Sequence, residues 1–332
     1  MRVGFIGLGN VGGKLAGSLL RNGVDLVVRD LDPAAARPFL NGGAAWAETP
    51  SELAKGVDVV VTCLPSPAAS AAVMEADDGV LAGITPGSIW MEMSTTDASE
   101  VARLAQLVAD RGGSTIDCPV SGGCHRADTG NISIFAGCDR ATFERALPLL
   151  TVMGRRVLHT GDIGTASVLK VMTNYLATVN LVAVTEALTT MAGAGLDLAT
   201  TFEAIRISSG NSFVHETESQ LILNGSRDIG FTMDLVLKDI GLFQSIADDH
   251  HVPLELNPLV IDIFRDGADR FGGGAWSDDI IRRLEESTGL TVTTDGFPAE
   301  LIDDEPEERG HEVVTAVPLG PAAADRSVTS SG

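Results

Sequence analysis

A chain of 332 residues with 44% apolar but only 5% aromatic side chains is long enough for about two domains with aliphatic cores. Its formal net charge of −22 argues against nucleic acid and anionic membrane as partners. It does not argue against an acidic substrate, which needs only a few local donors.

The chain opens with an apolar run at residues 3–6 that predicts a buried strand. This breaks into Gly7-Leu8-Gly9-Asn10-Val11-Gly12 and passes into a helical pattern of Leu15, Ala16, Leu19 and Leu20, stopped at Asn22-Gly23. Strand, Gly-x-Gly-x-x-Gly turn and helix form the context of a dinucleotide-binding fingerprint. Gly7 permits the tight turn, Gly9 lets the backbone approach a pyrophosphate, and Gly12 lets helix and strand pack closely. The helix N-terminus then faces the phosphates. A second apolar strand, residues 26–28, leads to Asp30, near the offset expected for the acid that binds the adenosine ribose. A carboxylate there accepts from a 2′-hydroxyl and repels a 2′-phosphate, so NAD is expected over NADP. Asp32 is the alternative ribose ligand, with Asp30 then capping the next turn.

Further along, short helices are expected at 34–40 and 52–55. A third strand at 57–64 ends at Leu64-Pro65, and a helix follows over 68–74. A fourth strand at 89–93 runs into Ser94-Thr95, and a helix capped by Asp97 or Ser99 extends to 108. A fifth strand at 114–117 enters Pro119-Val120-Ser121-Gly122-Gly123, and a sixth covers 132–136. Alternating strands and helices imply a doubly wound parallel sheet over residues 1–162, with ligands beyond the carboxyl ends of its strands. The Ser121 hydroxyl and the Gly122 and Gly123 N–H groups can form a donor nest for a carboxylate.

After residue 162 strands nearly vanish. A long helix is expected over 166–192, then helices at 198–205, 213–223, 233–248, 258–264 and 278–286, an all-α domain over 163–290. The apolar stretch at 169–194 contains Lys170, Asn174 and Glu186, so it reads as a buried helix and not as a membrane span. Lys170 and Asn174 stand at i, i+4 and share one face. A lysine there is either used or snorkels from an exposed helix start. Lys238-Asp239 reads as an ion pair or as part of a site. His215 is open between pocket and surface. From residue 291 the chain is acidic and aperiodic, which predicts a disordered tail. Cys63, Cys118, Cys124 and Cys138 lack CxxC or metal-ligand spacing, so no metal is expected. They read as small apolar fillers in a reducing, cytoplasmic setting, and no signal peptide is visible.

Four motifs, in order, resemble the β-hydroxyacid dehydrogenase family. They are Gly4-Phe5-Ile6-Gly7-Leu8-Gly9-x-x-Gly12, Asp117-x-Pro119-Val120-Ser121-Gly122-Gly123, Lys170-x-x-x-Asn174, and Lys238-Asp239 preceded by Phe231. The resemblance spans about residues 1–289. It implies a Rossmann domain joined by a long helix to an all-α domain, assembled as a homodimer or homotetramer. It further implies that Lys170 is the general acid/base and that Ser121, Gly122 and Gly123 hold the substrate carboxylate. Asn174 is implied to bond the reacting hydroxyl, Lys238 to close over substrate or cofactor, and Leu64-Pro65 and Ser94-Thr95 to contact cofactor. The implied reaction is hydride transfer between NAD and a small 3-hydroxy acid. Arg126, Ala166, Thr173 and Asp97-Ala98 depart from the family pattern; Arg126 either adds an anion contact or points to solvent. The rival readings are an imine reductase on the same fold, which generally carries another residue at the Lys170 position, and a non-catalytic NAD-binding sensor.

Overall fold

The computed structural model describes residues 1–314. Its sheet begins with β1 (Arg2–Ile6), α1 (Gly12–Arg21), β2 (Asp25–Arg29), α2 (Arg37–Asn41), β3 (Ala45–Trp46) and α3 (Pro50–Lys55). It continues through β4 (Val59–Thr62), α4 (Pro67–Glu75), α5 (Val80–Gly83), β5 (Ile89–Glu92), α6 (Ala98–Ala109) and β6 (Ser114–Asp117). Strand order β3-β2-β1-β4-β5-β6 is parallel throughout. Fully buried runs such as Val59-Val60-Val61 explain why: a strand covered by helices on both faces needs apolar residues at every position. The helix starts are equally local. Thr49 Oγ1 accepts from Glu52 N–H at 3.1 Å and Ser66 Oγ from Ala69 N–H at 3.2 Å, each followed by proline at the first helical position. Of the two candidate caps for α6, Asp97 is the one used: its Oδ1 accepts from the N–H groups of Ser99 (2.9 Å) and Glu100 (3.0 Å).

Beyond β6 the sheet departs from a purely parallel pattern. The two-residue β7 (Val120–Ser121) and α7 (Gly123–Asp128) precede β8 (Ile132–Gly137), which runs antiparallel to both β6 and β7. After α8 (Arg140–Met153), β9 (Gly154–Gly161) returns parallel to β8. The reversal falls after β7: β6 and β7 run the same way, and the short α7 connection brings β8 back against both.

The 29-residue helix α9 (Thr165–Gly193) leads into α10 (Leu198–Arg206), α11 (Phe213–Asn224), α12 (Met233–Asp249) and α13 (Leu256–Phe271). A 3-10 turn (Ser277–Ile281) and α14 (Arg282–Thr288) complete this domain. By length and composition α9 could cross a membrane, yet its buried face carries Lys170, Thr178, Thr185 and Thr189 and packs on α11 and α12. The helical core gathers Leu181, Val184, Leu188, Phe264 and Ile281.

The predicted disordered tail needs correction over its first part. Val292 is fully buried in the helical core. The chain then recrosses the sheet domain as an acidic strap. Asp303 accepts from Asn131 Nδ2 at 2.8 Å and from Thr129 Oγ1; Glu307 accepts from Arg21 Nε at 3.2 Å; Glu308 accepts from Arg155 Nη2 at 2.7 Å. Glu312 takes a two-pronged Arg140 contact at 2.6 and 3.0 Å, and β10 (His311–Glu312) adds a parallel strand on β9. The acids read as solvated because their basic partners lie 153 to 286 residues away in sequence. Residues 315–332, the rest of the predicted tail, lie outside the described residues.

Candidate active site

One cavity of about 880 Å³ runs between the carboxyl edge of the sheet and the helical domain. Gly7, Gly9, Asn10, Val11 and Gly12 line it, with Asp30, Leu64, Pro65, Ser94 and Thr95 from neighbouring strand exits. Ser121, Gly122 and Gly123, then Lys170, Asn174 and Lys238, line it from the other side. Of the residues that the glycine turn and the family resemblance assign to catalysis, substrate or cofactor, Leu8 alone is absent from the wall. Its side chain is buried in the sheet core, and it contributes only a backbone N–H, donated to Asp30 Oδ2 at 2.6 Å.

The three glycines divide their work as the fingerprint demands. A Cβ at Gly7 would stand 2.3 Å from Cys63 O, and one at Gly12 2.1 Å from Gly7 O, so both positions are closed to side chains by backbone. At Gly9 nothing lies within 4 Å of such a Cβ, because it would point into the cleft. No side chain caps the first turn of α1; Gly13 N–H bonds Gly9 O at 2.8 Å and Lys14 N–H bonds Val11 O at 3.0 Å, and the positive end of the helix faces the cavity through Val11 and Gly12. These features fit a dinucleotide. Asp30 lines the cavity, with Oδ1 accepting from Asp32 N–H at 2.9 Å. Asp32 instead starts the next turn, its Oδ1 accepting from Ala34 N–H at 2.9 Å. Asn10 Nδ2 donates to Gly230 O at 3.1 Å, tying the glycine loop to the helical domain.

The reactive face is built on α9. Lys170, Thr173, Asn174, Ala177, Thr178 and Leu181 all face the cavity, which is one stripe at i, i+3, i+4, i+7, i+8 and i+11. Asp117, fully buried at the end of β6, anchors the start of this helix. Its two oxygens accept from Ser167 N–H (2.8 Å) and Ser167 Oγ (2.7 Å), and burial pushes its carboxyl up to about 6.

Lys170 is 7% exposed and lines the cleft, which decides between use and snorkelling: its side chain is buried against the cavity and not extended to the outer surface. Nζ donates to Asn174 Oδ1 at 2.6 Å, and Asn174 Nδ2 donates to the buried carboxylate of Asp239. Lys238 Nζ lies 2.6 Å from Asp239 Oδ1 as an ion contact and donates to Thr95 O at 2.6 Å. A relay of lysine, amide, carboxylate and lysine thus joins α9 to α12 and closes over the β5 exit. Burial lowers the Lys170 amine to about 8; Asp239 pulls it up and Lys238 pushes it down. An amine of that kind exchanges a proton near neutral pH.

Sequence reasoning passed over three groups. Asp239 was paired only with Lys238, although its other oxygen fixes Asn174. Glu92, fully buried, accepts from Ser94 N–H at 2.9 Å and from Ser94 Oγ, which itself accepts from Leu64 N–H at 2.8 Å. It thereby holds two cavity-lining exits together, and burial raises its carboxyl. The available signal was an acid inside the apolar run Ile89-Trp90-Met91-Glu92-Met93. Glu218 also lines the cavity. Two expectations need correction. His215 belongs neither to the pocket nor to the surface: it is 1% exposed, with Nε2 2.9 Å from Phe202 O and Nδ1 3.1 Å from Ser219 Oγ. Arg126 lies 5.0 Å over the Phe213 ring and 3.9 Å from Glu305, outside the cavity wall and only partly exposed. Cys118 and Cys138 are buried fillers, whereas Cys63 and Cys124 wall the cleft.

Residues 2–161 match the family model of the NAD-binding domain of 6-phosphogluconate dehydrogenase. Residues 164–284 match that of the NAD-binding region of NADP-dependent 3-hydroxyisobutyrate dehydrogenase. The chain is 33% identical over 294 residues to 2-(hydroxymethyl)glutarate dehydrogenase of Eubacterium barkeri, covering 88% of this chain and 98% of that one. It is 32% identical over 270 residues to the mitochondrial 3-hydroxyisobutyrate dehydrogenase of Mus musculus, covering 79% and 81%. The crystal structure of 3-hydroxyisobutyrate dehydrogenase from Salmonella typhimurium superposes with a TM-score of 0.79 at 29% identity, over 85% of this chain and 99% of that one. A glycine-lined dinucleotide cleft facing a buried lysine, matched by both family models, places the chain in the β-hydroxyacid dehydrogenase family of nicotinamide-dependent oxidoreductases.

Proposed function

We propose that this chain oxidises a small 3-hydroxy carboxylic acid with NAD, with Lys170 as the general base and, in the reverse direction, the general acid. The observation that carries the reading is the Lys170 amine, buried in the cleft, held by Asn174 and lowered to about 8. Nicotinamide, when bound, supplies the hydride acceptor. The glycine turn and the α1 N-terminus would hold the dinucleotide's pyrophosphate, and Leu64-Pro65 and Ser94-Thr95, which line the same cavity, would contact the cofactor. The substrate carboxylate is received at Ser121, Gly122 and Gly123, where Gly122 (φ 132°) and Gly123 (φ 85°) adopt backbone conformations that side chains rarely tolerate. Lys170 Nζ takes the hydroxyl proton. Asn174 is fixed at both ends, and its second N–H remains for the reacting oxygen. Lys238 closes the cleft from α12 onto Thr95.

Asp30 supports NAD over NADP, because a carboxylate at the β2 exit repels a 2′-phosphate and Leu31 and Asp32 offer no cation to hold one. Residues 1–162 serve as the cofactor domain and 163–290 as the substrate and dimerisation domain of a homodimer or homotetramer. A cytoplasmic setting agrees with four free cysteines. An imine reductase or a non-catalytic sensor leaves the buried amine and its relay without a task.

The test is NADH formation on serine, 3-hydroxyisobutyrate, 3-hydroxypropionate, glycerate and threonate. Lys170→Met should cut turnover about 10²–10⁴-fold with cofactor affinity little changed. Near-full activity in that variant rejects the role of Lys170, and no turnover of any such acid rejects the reaction class.

A further inference from the structure

The loop that carries the Ser121-Gly122-Gly123 nest has little stiffness of its own. Ser121 pairs with Ser133 on β8, and residues 122–132 leave that ladder and return to it through α7. The outgoing leg is a pair of glycines, and α7 has no side-chain cap. The returning corner, Thr129-Gly130-Asn131, runs directly into Ile132. A Cβ at Gly122 would lie 3.5 Å from Ile132 Cγ1 and 3.4 Å from Arg126 Cδ, so corner and Arg126 both press on the nest. Their positions therefore set where the Gly122 and Gly123 N–H groups point. The acidic strap fixes both from outside the cleft. Asn131 is 2% exposed, and its Nδ2 donates to Asp303 Oδ2 at 2.8 Å and to Glu305 O at 2.9 Å. Thr129 Oγ1 donates to the same Asp303 oxygen. Arg126 lies between Glu305, at 3.9 Å, and the Phe213 ring of the helical domain. Among the described residues no hydrogen bond or ion pair joins Asp303 or Glu305 to Lys170, Asn174, Lys238 or the glycine turn. The strap also lies past residue 284, where the second family match ends.

We propose that Asp303 is a positioning residue for the substrate carboxylate: by pinning the Thr129–Asn131 corner from the back, it keeps the Ser121-Gly122-Gly123 nest in its receiving geometry. Glu305 assists through Asn131 and Arg126. The inference rests on the reading above that this nest takes the carboxylate. The physical cause is the buried Asn131 amide. An N–H deprived of its acceptor away from water costs more than the net value of the bond, so without Asp303 the corner shifts to find another acceptor. Ile132 and Gly122 shift with it. The nest is then formed in only a fraction of the molecules, and apparent affinity for the acid falls by that fraction. Cofactor binding and proton transfer are untouched, because Asp303 bonds neither the glycine turn nor the lysine relay.

The experiment measures kcat, KM for the acid and KM for NAD in the full chain, using whichever of serine, 3-hydroxyisobutyrate, 3-hydroxypropionate, glycerate and threonate it oxidises best. Asp303→Ala should raise KM for the acid about tenfold, as for a nest formed in about one molecule in ten, with kcat and KM for NAD little changed. Asp303→Asn keeps an oxygen that accepts from Thr129 and Asn131, so it should restore KM to within about threefold of the unaltered chain. Glu312→Gln loosens the strap at its Arg140 contact, far from α7, and should leave KM for the acid within about twofold. If Asp303→Ala does not fold, Thr129→Val carries the test, with KM for the acid rising about threefold. An unchanged KM for the acid in the folded variant, an equal rise in KM for NAD, or an equal effect of Glu312→Gln overturns the positioning role while the hydroxy-acid reading stands. Oxidation of none of the five acids by folded, unaltered protein brings down that reading instead, and the role of Asp303 with it.

Discussion

The ionisation of Lys170 should set the pH dependence of the reaction. An unperturbed lysine at 10.5 is about 0.3% neutral at pH 8, whereas one lowered to about 8 is half neutral. The buried site therefore presents roughly 150 times more free base at that pH. In the oxidative direction, log kcat/KM should rise with unit slope below pH about 8 and level off above it. In the reductive direction, which needs the ammonium, it should fall through the same point. Asp239→Asn removes the anion that raises this amine, so the inflection should move down by about one unit. The same linkage appears in stability. The folded state releases the Lys170 proton near 8 and the unfolded state near 10.5, so folding gains stability as pH rises between those values. The assay is initial-rate NADH absorbance from pH 6 to 10, with Lys170→Arg as the control that cannot shed its proton. An inflection near 10, or one that persists unchanged in Lys170→Arg, would refute the assignment of Lys170 as the proton acceptor.

Other consequences are separable by simple assays. Gly9→Ala, whose Cβ meets nothing, should leave Tm almost unchanged and weaken NAD binding, whereas Gly12→Ala, pressed against Gly7 O, should lower stability by about 1–3 kcal/mol; equal Tm losses would count against the division of roles. Asp30→Arg should raise kcat/KM with NADP relative to NAD, measured by competition between the two, and an unmoved ratio would remove Asp30 from cofactor selection. Ending the chain at residue 302 strips β9 of its edge partner and exposes Arg140 and Arg155, so lower Tm and concentration-dependent association by light scattering are expected. Arg140→Gln alone should change stability by less than about 1 kcal/mol, since the pair it breaks is half exposed.

What could be read from the chain was what its spacing carries. Gly7, Gly9 and Gly12 lie within one turn, and Lys170 and Asn174 within one helical face, so neighbours in sequence are neighbours in space. The far half of the relay was hidden for the opposite reason. Asp239 bonds an amide 65 residues away, and only the packing of α12 on α9 brings the two together. Glu92 and Asp117 stand in apolar strands, where composition signals burial but not the partner. β9, with two arginines in Gly154-Arg155-Arg156-Val157, gave no clean alternation, because it is an edge-side strand whose polar face meets the strap. The strap misled most, since a run of acids without apolar period carries no local sign that arginines await it on another domain.

That strap also imposes an order on assembly. β9 ends at Gly161, and the strand that covers it starts at His311, so about 150 residues must leave the ribosome before the sheet is complete. At bacterial or eukaryotic elongation rates this interval lasts about 8–30 seconds. Throughout it, a nascent cofactor domain offers unpaired backbone donors and acceptors to any other growing chain, so yield in the cell should respond to translation speed and to chaperones that shield strand edges.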